Sequence, residues 1–167
     1  MLAVKEGENT GTASDDTPHG LTQILLLFAG PETNRYGFHG TSYQYVMEAT
    51  ADYLGKASSS RNLIILHLGG GASMCCIKDG KSIDTTMGLT PLEGLVMATR
   101  SGDLDPGIYD YLLAHGHAPE EVYALLNQRS GLRGLSGIAS DMRVVKRRAA
   151  EGDEDCRLAR EVFAERW

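Results

Sequence analysis

Positive charge, cysteine and long apolar runs are all scarce in this sequence. Lys plus Arg number 16 against 22 Asp plus Glu, a net charge of −6. That deficit argues against nucleic acid as a partner, which requires a basic face. It leaves open a nucleotide site, where a few local groups suffice. The 3 cysteines supply no disulfide framework. Cys75 and Cys76 are adjacent on a strand-like run and therefore point to opposite faces, and Cys156 is remote in sequence. Inert thiols in a reducing compartment are the expectation. The longest apolar stretch, Ile24 to Gly30, falls far short of the roughly 20 residues of a spanning helix, so no membrane partner is expected. Within residues 1–34, Lys5 alone faces Glu6, Glu8, Asp15, Asp16 and Glu32. Such an acidic start is unlike a secretory signal or an Arg-rich transit peptide, and a cytoplasmic location is expected.

The 167 residues, 42% of them hydrophobic, suffice for about one domain with its own core. Residues 1–34 read as a divergent arm, disordered or poorly packed, containing one apolar run from Leu21 to Ala29. Thr41-Ser42 would cap a helix reaching about Leu54, with Val46, Ala49, Thr50 and Tyr53 on its apolar face and Gly55 at its end. Residues 56–61 form a Ser-rich connection, and a β-meander follows from Asn62 to about Thr86. Beyond it the pattern turns helical. Asp105-Pro106 opens one helix, with Ile108, Leu112 and Leu113 on its face. Pro119-Glu120-Glu121 opens a second, burying Val122, Leu125 and Leu126. Two more span Asp141 to Ala150 and Glu154 to Trp167, the last with a stripe of Leu158, Val162 and Phe163. Strands first and helices later, on one mixed sheet, indicate an α/β fold.

The densest chemical signal is His67-Leu68-Gly69-Gly70-Gly71-Ala72-Ser73, between the aliphatic run Leu63–Leu66 and a second strand-like run, Met74 to Ile77. Three glycines admit a ligand close to the main chain and permit the positive φ angles that gather N–H groups around an anion. The plainer alternative is a tight hairpin. Two familiar motifs are excluded. Gly80-Lys81-Ser82 lacks the first P-loop glycine, since Cys75 holds that place. The triglycine cannot open a dinucleotide fingerprint either, because Met74 stands at the last glycine position and no helix follows. Asp79-Gly80 between two β-like runs is a hairpin turn.

Three other groupings carry chemistry. His39 lies between glycines at a helix start, an imidazole beside free N–H groups. Arg100, in the loop Thr99 to Pro106, could present a planar fork to a carboxylate or phosphoryl group, with Asp103 or Asp105 orienting it. Asp141 near a helix start is by default an N-cap. His115 and His117 flank Gly116 at a helix end, with no Cys/His pattern to close a metal site.

Taken together, residues 35–42 (RYGFHGTS), 62–73 (NLIILHLGGGAS), 80–106 and 130–143 (SGLRGLSGIASDMR) resemble the acetate kinases, of the acetate and sugar kinase/Hsp70/actin superfamily. That resemblance implies a ribonuclease H-like, actin/Hsp70-type α/β ATPase domain, incomplete, over residues 35–167. It implies His39 and Arg100 as catalytic groups that stabilise the migrating phosphoryl. His67, Leu68, Gly69, Gly70 and Gly71 would form the nucleotide-phosphate turn, and Asp141, Met142 and Arg143 a segment against adenosine. The implied reaction is reversible transfer from ATP with Mg2+ to acetate, giving acetyl phosphate and ADP. Propionate and butyrate are alternative acceptors, and a non-catalytic nucleotide-binding or assembly module is the contrasting class. The metal ligand is expected outside this chain, and a homo-oligomer is implied for the full-length family. Two positions depart from the family pattern: Gly70 replaces an asparagine and Tyr43 a histidine. Family members are more than twice as long, which implies impaired turnover in the chain by itself.

Overall fold

A computed structural model of the protein describes residues 35–55, 57 and 62–166. The expected arm, its Leu21–Ala29 run and nearly all of the Ser-rich connection lie outside the described residues. The chain divides into two compact units. One takes residues up to Leu66 together with Met74–Thr90, and the other takes His67–Ser73 and Pro91–Trp167.

In the first unit, helix α1 runs Gly40–Tyr53. Strands β1 (Leu63–Leu68), β2 (Ala72–Lys78) and β3 (Lys81–Thr85), which belong to this unit apart from residues 67–68 and 72–73, form a three-stranded sheet in the order β1-β2-β3, the expected meander. β2 and β3 pair antiparallel through Asp79 (φ 51°) and Gly80 (φ 74°), the two left-handed residues of a tight hairpin. Cys76 faces Asp84 and Ile77 faces Ser82, so a bulge leaves Ile83 without a partner. Tyr43 and Met47 pack on Ile65, Cys75 and Ile77. Burial pushes the Cys75 thiol above its ordinary pKa, which keeps it protonated and inert.

Helix α1 turns a different face inward from the one its spacing suggested. Gly40, Tyr43, Met47 and Ala51 are buried, whereas Tyr53 is 88% exposed and lines an open apolar groove with Val46 and Ala49. Both stripes are apolar in the sequence, so periodicity could not choose between them. The sheet, which offers Ile65 and Ile77 to one side, chose. Thr41 and Ser42 do not cap the helix; the N-cap is His39, with no side-chain hydrogen bond to the first turn.

The second unit is helical: α2 (Gly107–Ala114), α3 (Pro119–Gln128), α4 (Gly131–Ser136), α5 (Met142–Ala150) and α6 (Glu154–Glu165). Leu132, Val145, Cys156 and Ala159 form its core, and the small Cys156 and Ala159 let α6 sit close against α4 and α5. Of the expected stripe on α6, Val162 and Phe163 are half-buried but Leu158 is exposed. On α2, Ile108 is exposed and Leu112 and Leu113 are only half-buried; no residue of that helix is fully buried. Pro106 is the N-cap of α2 rather than its first residue, and Asp105 Oδ1 accepts the Gly107 N–H at 2.8 Å. Glu121 accepts the Ala118 N–H at 3.0 Å and fixes the start of α3, where Val122 is buried and Leu125 and Leu126 half-buried. Helix α4 was not legible: two glycines in six residues argue against helix on propensity alone.

Candidate functional site

The strand-forming residues of β1 extend through His67 and Leu68, so the turn itself is Gly69–Gly71. None of these three glycines adopts a positive φ, in contrast to the expected anion nest. Gly69 N–H donates instead to Gly71 O at 3.0 Å. Neither a left-handed angle nor crowding demands glycine at Gly69 or Gly70. A Cβ on Gly69 would lie 3.6 Å from His67 Nε2, and one on Gly70 would meet nothing within 4 Å. Gly70→Asn, which restores the family pattern, is therefore expected to change stability by no more than about 0.5 kcal/mol. A thermal melt of the variant checks this, and a large fall in Tm would show hidden crowding at the turn.

The turn is tied to the loop that carries Arg100: Ala98 N–H donates to Gly70 O at 3.2 Å. Residues 97–101 are held by main-chain bonds from several sides. Ser130 N–H donates to Thr99 O, Leu132 N–H to Met97 O, Arg133 N–H to Ala98 O and Ser101 N–H to Leu126 O. Gly102 (φ 69°) has no room for a Cβ, which would fall 2.5 Å from Leu95 O. The half-buried Arg100 donates through Nη1 to Pro91 O at 3.3 Å, with Met97 Sδ at 3.7 Å. Neither Asp103 nor Asp105 pairs with it: Asp103 binds the Gly94 N–H and Asp105 caps α2. Among the described residues no carboxylate forms a salt bridge with Arg100, whereas Arg143 has one and Arg148 and Arg157 have two each.

Asp141, Met142 and Arg143 lie in the same unit, at the start of α5. Asp141 is the N-cap, its Oδ1 accepting the Arg143 N–H at 2.8 Å. The Arg143 guanidinium folds back onto the same carboxylate at 2.6 Å. Those bonds hold the Asp141 carboxyl down to about pH 2, against an ordinary 3.8. A depressed carboxylate stabilises the folded state fully above its unfolded pKa. Its contribution to the α5 cap is therefore expected to persist to near pH 4 and disappear as pH falls through about 2. Titration of the Asp141 carboxyl carbon by NMR measures it directly; a midpoint near 4 would mean the pair does not form in solution.

His39 belongs to the first unit and is described within it. It adopts φ 66°, ψ 11°, a left-handed conformation that costs a non-glycine residue about 1 kcal/mol. It precedes a 14-residue helix that its own side chain does not cap. Its ring meets Tyr43 edge-on at 6.5 Å, and the fully buried Tyr43 thus fills the place of the family histidine as a core residue. Arg35 fastens the loop before His39 to the end of β3, donating to the carbonyls of Thr85 and Met87. A cavity of about 450 Å³ opens beside His39, walled by Tyr36, Phe38 and Leu89.

His115 is the C-cap of α2, stacked on Tyr111 at 4.0 Å, and His117 lies 3.7 Å from Glu121. Among the described residues no group of three or more His, Cys, Asp or Glu side chains is placed to hold a metal ion. None of the described helices is long and apolar enough to cross a membrane.

The acetokinase family model matches residues 30–167, taking in the turn, the Arg100 loop and the α5 start together. The chain belongs to the acetokinase family. It is 53% identical over 133 residues to an acetate kinase of Microcystis aeruginosa, covering 79% of this chain and 33% of that protein. It is also 53% identical over 133 residues to a propionate kinase of Yersinia enterocolitica, with the same coverage. The crystal structure of Porphyromonas gingivalis acetate kinase matches 90% of this chain and 37% of that one, with a TM-score of 0.78 and 38% identity. A Francisella tularensis propionate kinase matches at the same TM-score and 46% identity, over 84% and 36% of the two chains. The acetokinase chain described here thus has the α/β fold of the acetate and propionate kinases. It spans about a third of the length of the curated relatives it matches.

Proposed function

We propose that this chain supplies the phosphate turn and the phosphoryl-clamping arginine of a carboxylate kinase. The reaction is reversible transfer of the terminal phosphoryl of ATP to acetate, giving acetyl phosphate and ADP. The observation that carries this is Arg100: a half-buried guanidinium with only neutral acceptors, on a loop hydrogen-bonded to the triglycine turn. An acetate oxygen, already ionised at neutral pH, attacks the phosphorus as the bond to the ADP oxygen breaks. Charge spreads over the equatorial oxygens, where fixed donors act most strongly. Arg100 is the proposed donor to them, and His39 is proposed, from the resemblance alone, as a further phosphoryl-stabilising group. His67, Leu68 and Gly69–Gly71 receive the remaining nucleotide phosphates, and Asp141, Met142 and Arg143 face adenosine. No cluster of His, Cys, Asp or Glu among the described residues is placed to hold the magnesium that accompanies ATP.

Propionate is the second acceptor, favoured by equal identity to an acetate kinase and a propionate kinase. The whole protein is proposed to act in the cytoplasm as a homo-oligomer, with residues 35–167 as part of its kinase fold and turnover by this chain alone impaired. Calorimetry with ADP tests the nucleotide site: binding is expected, and His67→Ala should weaken it by about tenfold. No heat at millimolar ADP would remove the kinase reading in favour of a non-catalytic assembly module.

A further inference from the structure

A chain of net charge −6 repels a polyanion, so nucleotide phosphates must be met by cations gathered locally. The main-chain bonds around the triglycine turn show which cations are in place. Ala98 N–H donates to Gly70 O at 3.2 Å, and Ala98 O accepts the Arg133 N–H at 3.0 Å. Arg133, in the first turn of α4, thus lies two hydrogen-bond steps from the turn. Leu132 N–H to Met97 O, Ser130 N–H to Thr99 O and Met97 N–H to Arg100 O complete the same network. Of the residues these bonds join, only Arg100 and Arg133 are charged, and both are cations. Arg133 is exposed, and among the described residues its guanidinium enters no hydrogen bond or ion pair.

We propose that Arg133 is a second phosphate-contacting residue, which holds the non-transferred phosphates of the nucleotide at the Gly69–Gly71 turn. Its main chain is fixed against Ala98, and an arginine side chain is long enough to span the two bond steps to the turn. The planar fork of a guanidinium suits it to bridge phosphate oxygens. The two arginines divide the work. Arg100 acts on the phosphoryl that moves, and Arg133 on those that stay. A contact to phosphates that stay is equal in ground state and transition state, so Arg133 contributes to nucleotide binding rather than to the chemical step. The proposal rests on the reading of the turn as a nucleotide-phosphate site.

Calorimetry with ADP on the 167-residue chain compares Arg133→Ala and Arg133→Gln with Arg160→Ala. Arg160, on α6, is equally exposed and unpaired among the described residues but lies off the network, so it controls for overall charge. Both Arg133 variants should weaken ADP about tenfold, the effect of one charge-assisted hydrogen bond, and Arg160→Ala by less than about twofold. Inorganic pyrophosphate, which lacks the nucleoside, should compete with ADP, and its inhibition constant should rise about tenfold in the Arg133 variants alone. Alanine and glutamine are good helix formers at an exposed position, so thermal melts should show all three variants folded. ADP affinity unchanged in both Arg133 variants overturns the contact. So does an equal loss in Arg160→Ala, or pyrophosphate competition that is the same in every chain. No binding of ADP by the unaltered chain would instead sink the nucleotide-site reading itself, and the contact with it.

Discussion

Gly131→Ala is expected to unfold the Arg100 loop and cost the chain about 3 kcal/mol or more. Gly131 sits at φ 61° at the start of α4, under the loop. A methyl there would lie 2.2 Å from Met97 O, 2.7 Å from Arg100 O and 3.1 Å from Arg100 N. Backbone atoms cannot step aside as a side-chain end can, and the left-handed angle adds about 1 kcal/mol of its own. The bonds from Leu132 N–H to Met97 O and Arg133 N–H to Ala98 O are the first to go. Equilibrium denaturation reads the stability loss, and amide exchange at Leu132 and Arg133 reads its location. Near-wild-type stability would show that the loop does not close this tightly in solution.

Arg100→Ala is expected to have the largest effect on turnover. When this chain is joined to the remaining two thirds of an acetokinase, phosphoryl transfer should fall by roughly 10³-fold or more, with little change in KM for acetate. That corresponds to about 4 kcal/mol of lost transition-state stabilisation. Arg100→Lys should recover little, since an ammonium cannot match the planar fork held beside Pro91 O. Steady-state acetyl phosphate formation measures both variants. A fall below tenfold in Arg100→Ala would move the clamp elsewhere.

What could be read in advance followed local chemistry. The meander was legible because β-branched and aliphatic runs flank a Gly-rich turn and an Asp-Gly pair, and these act over a few residues. The Asp141 cap and the start of α3 at Pro119-Glu120-Glu121 were legible for the same reason. Errors fell where two local solutions were equally good. The wrong stripe of α1 is as apolar as the right one, and the α4 sequence is poor helix former until Leu132 finds Val145 and Cys156. The expectation that Asp103 or Asp105 orients Arg100 failed, since neither carboxylate pairs with it. Three residues apart in a loop suggests an ion pair, whereas the carboxylate reaches nine residues back to Gly94.

The sequence by itself determined the described elements other than α4, the family and the identity of the groups that bear charge, because composition, turn chemistry and motif order are properties of neighbours. Tertiary structure alone decided which face of α1 is core, that the triglycine turn takes no left-handed angle, and which acceptors hold Arg100. Those depend on main-chain atoms brought together from Gly70, Pro91, Leu126 and Leu132. Backbone carbonyls and amides are the same for nearly every residue, so no residue type advertises where they will meet.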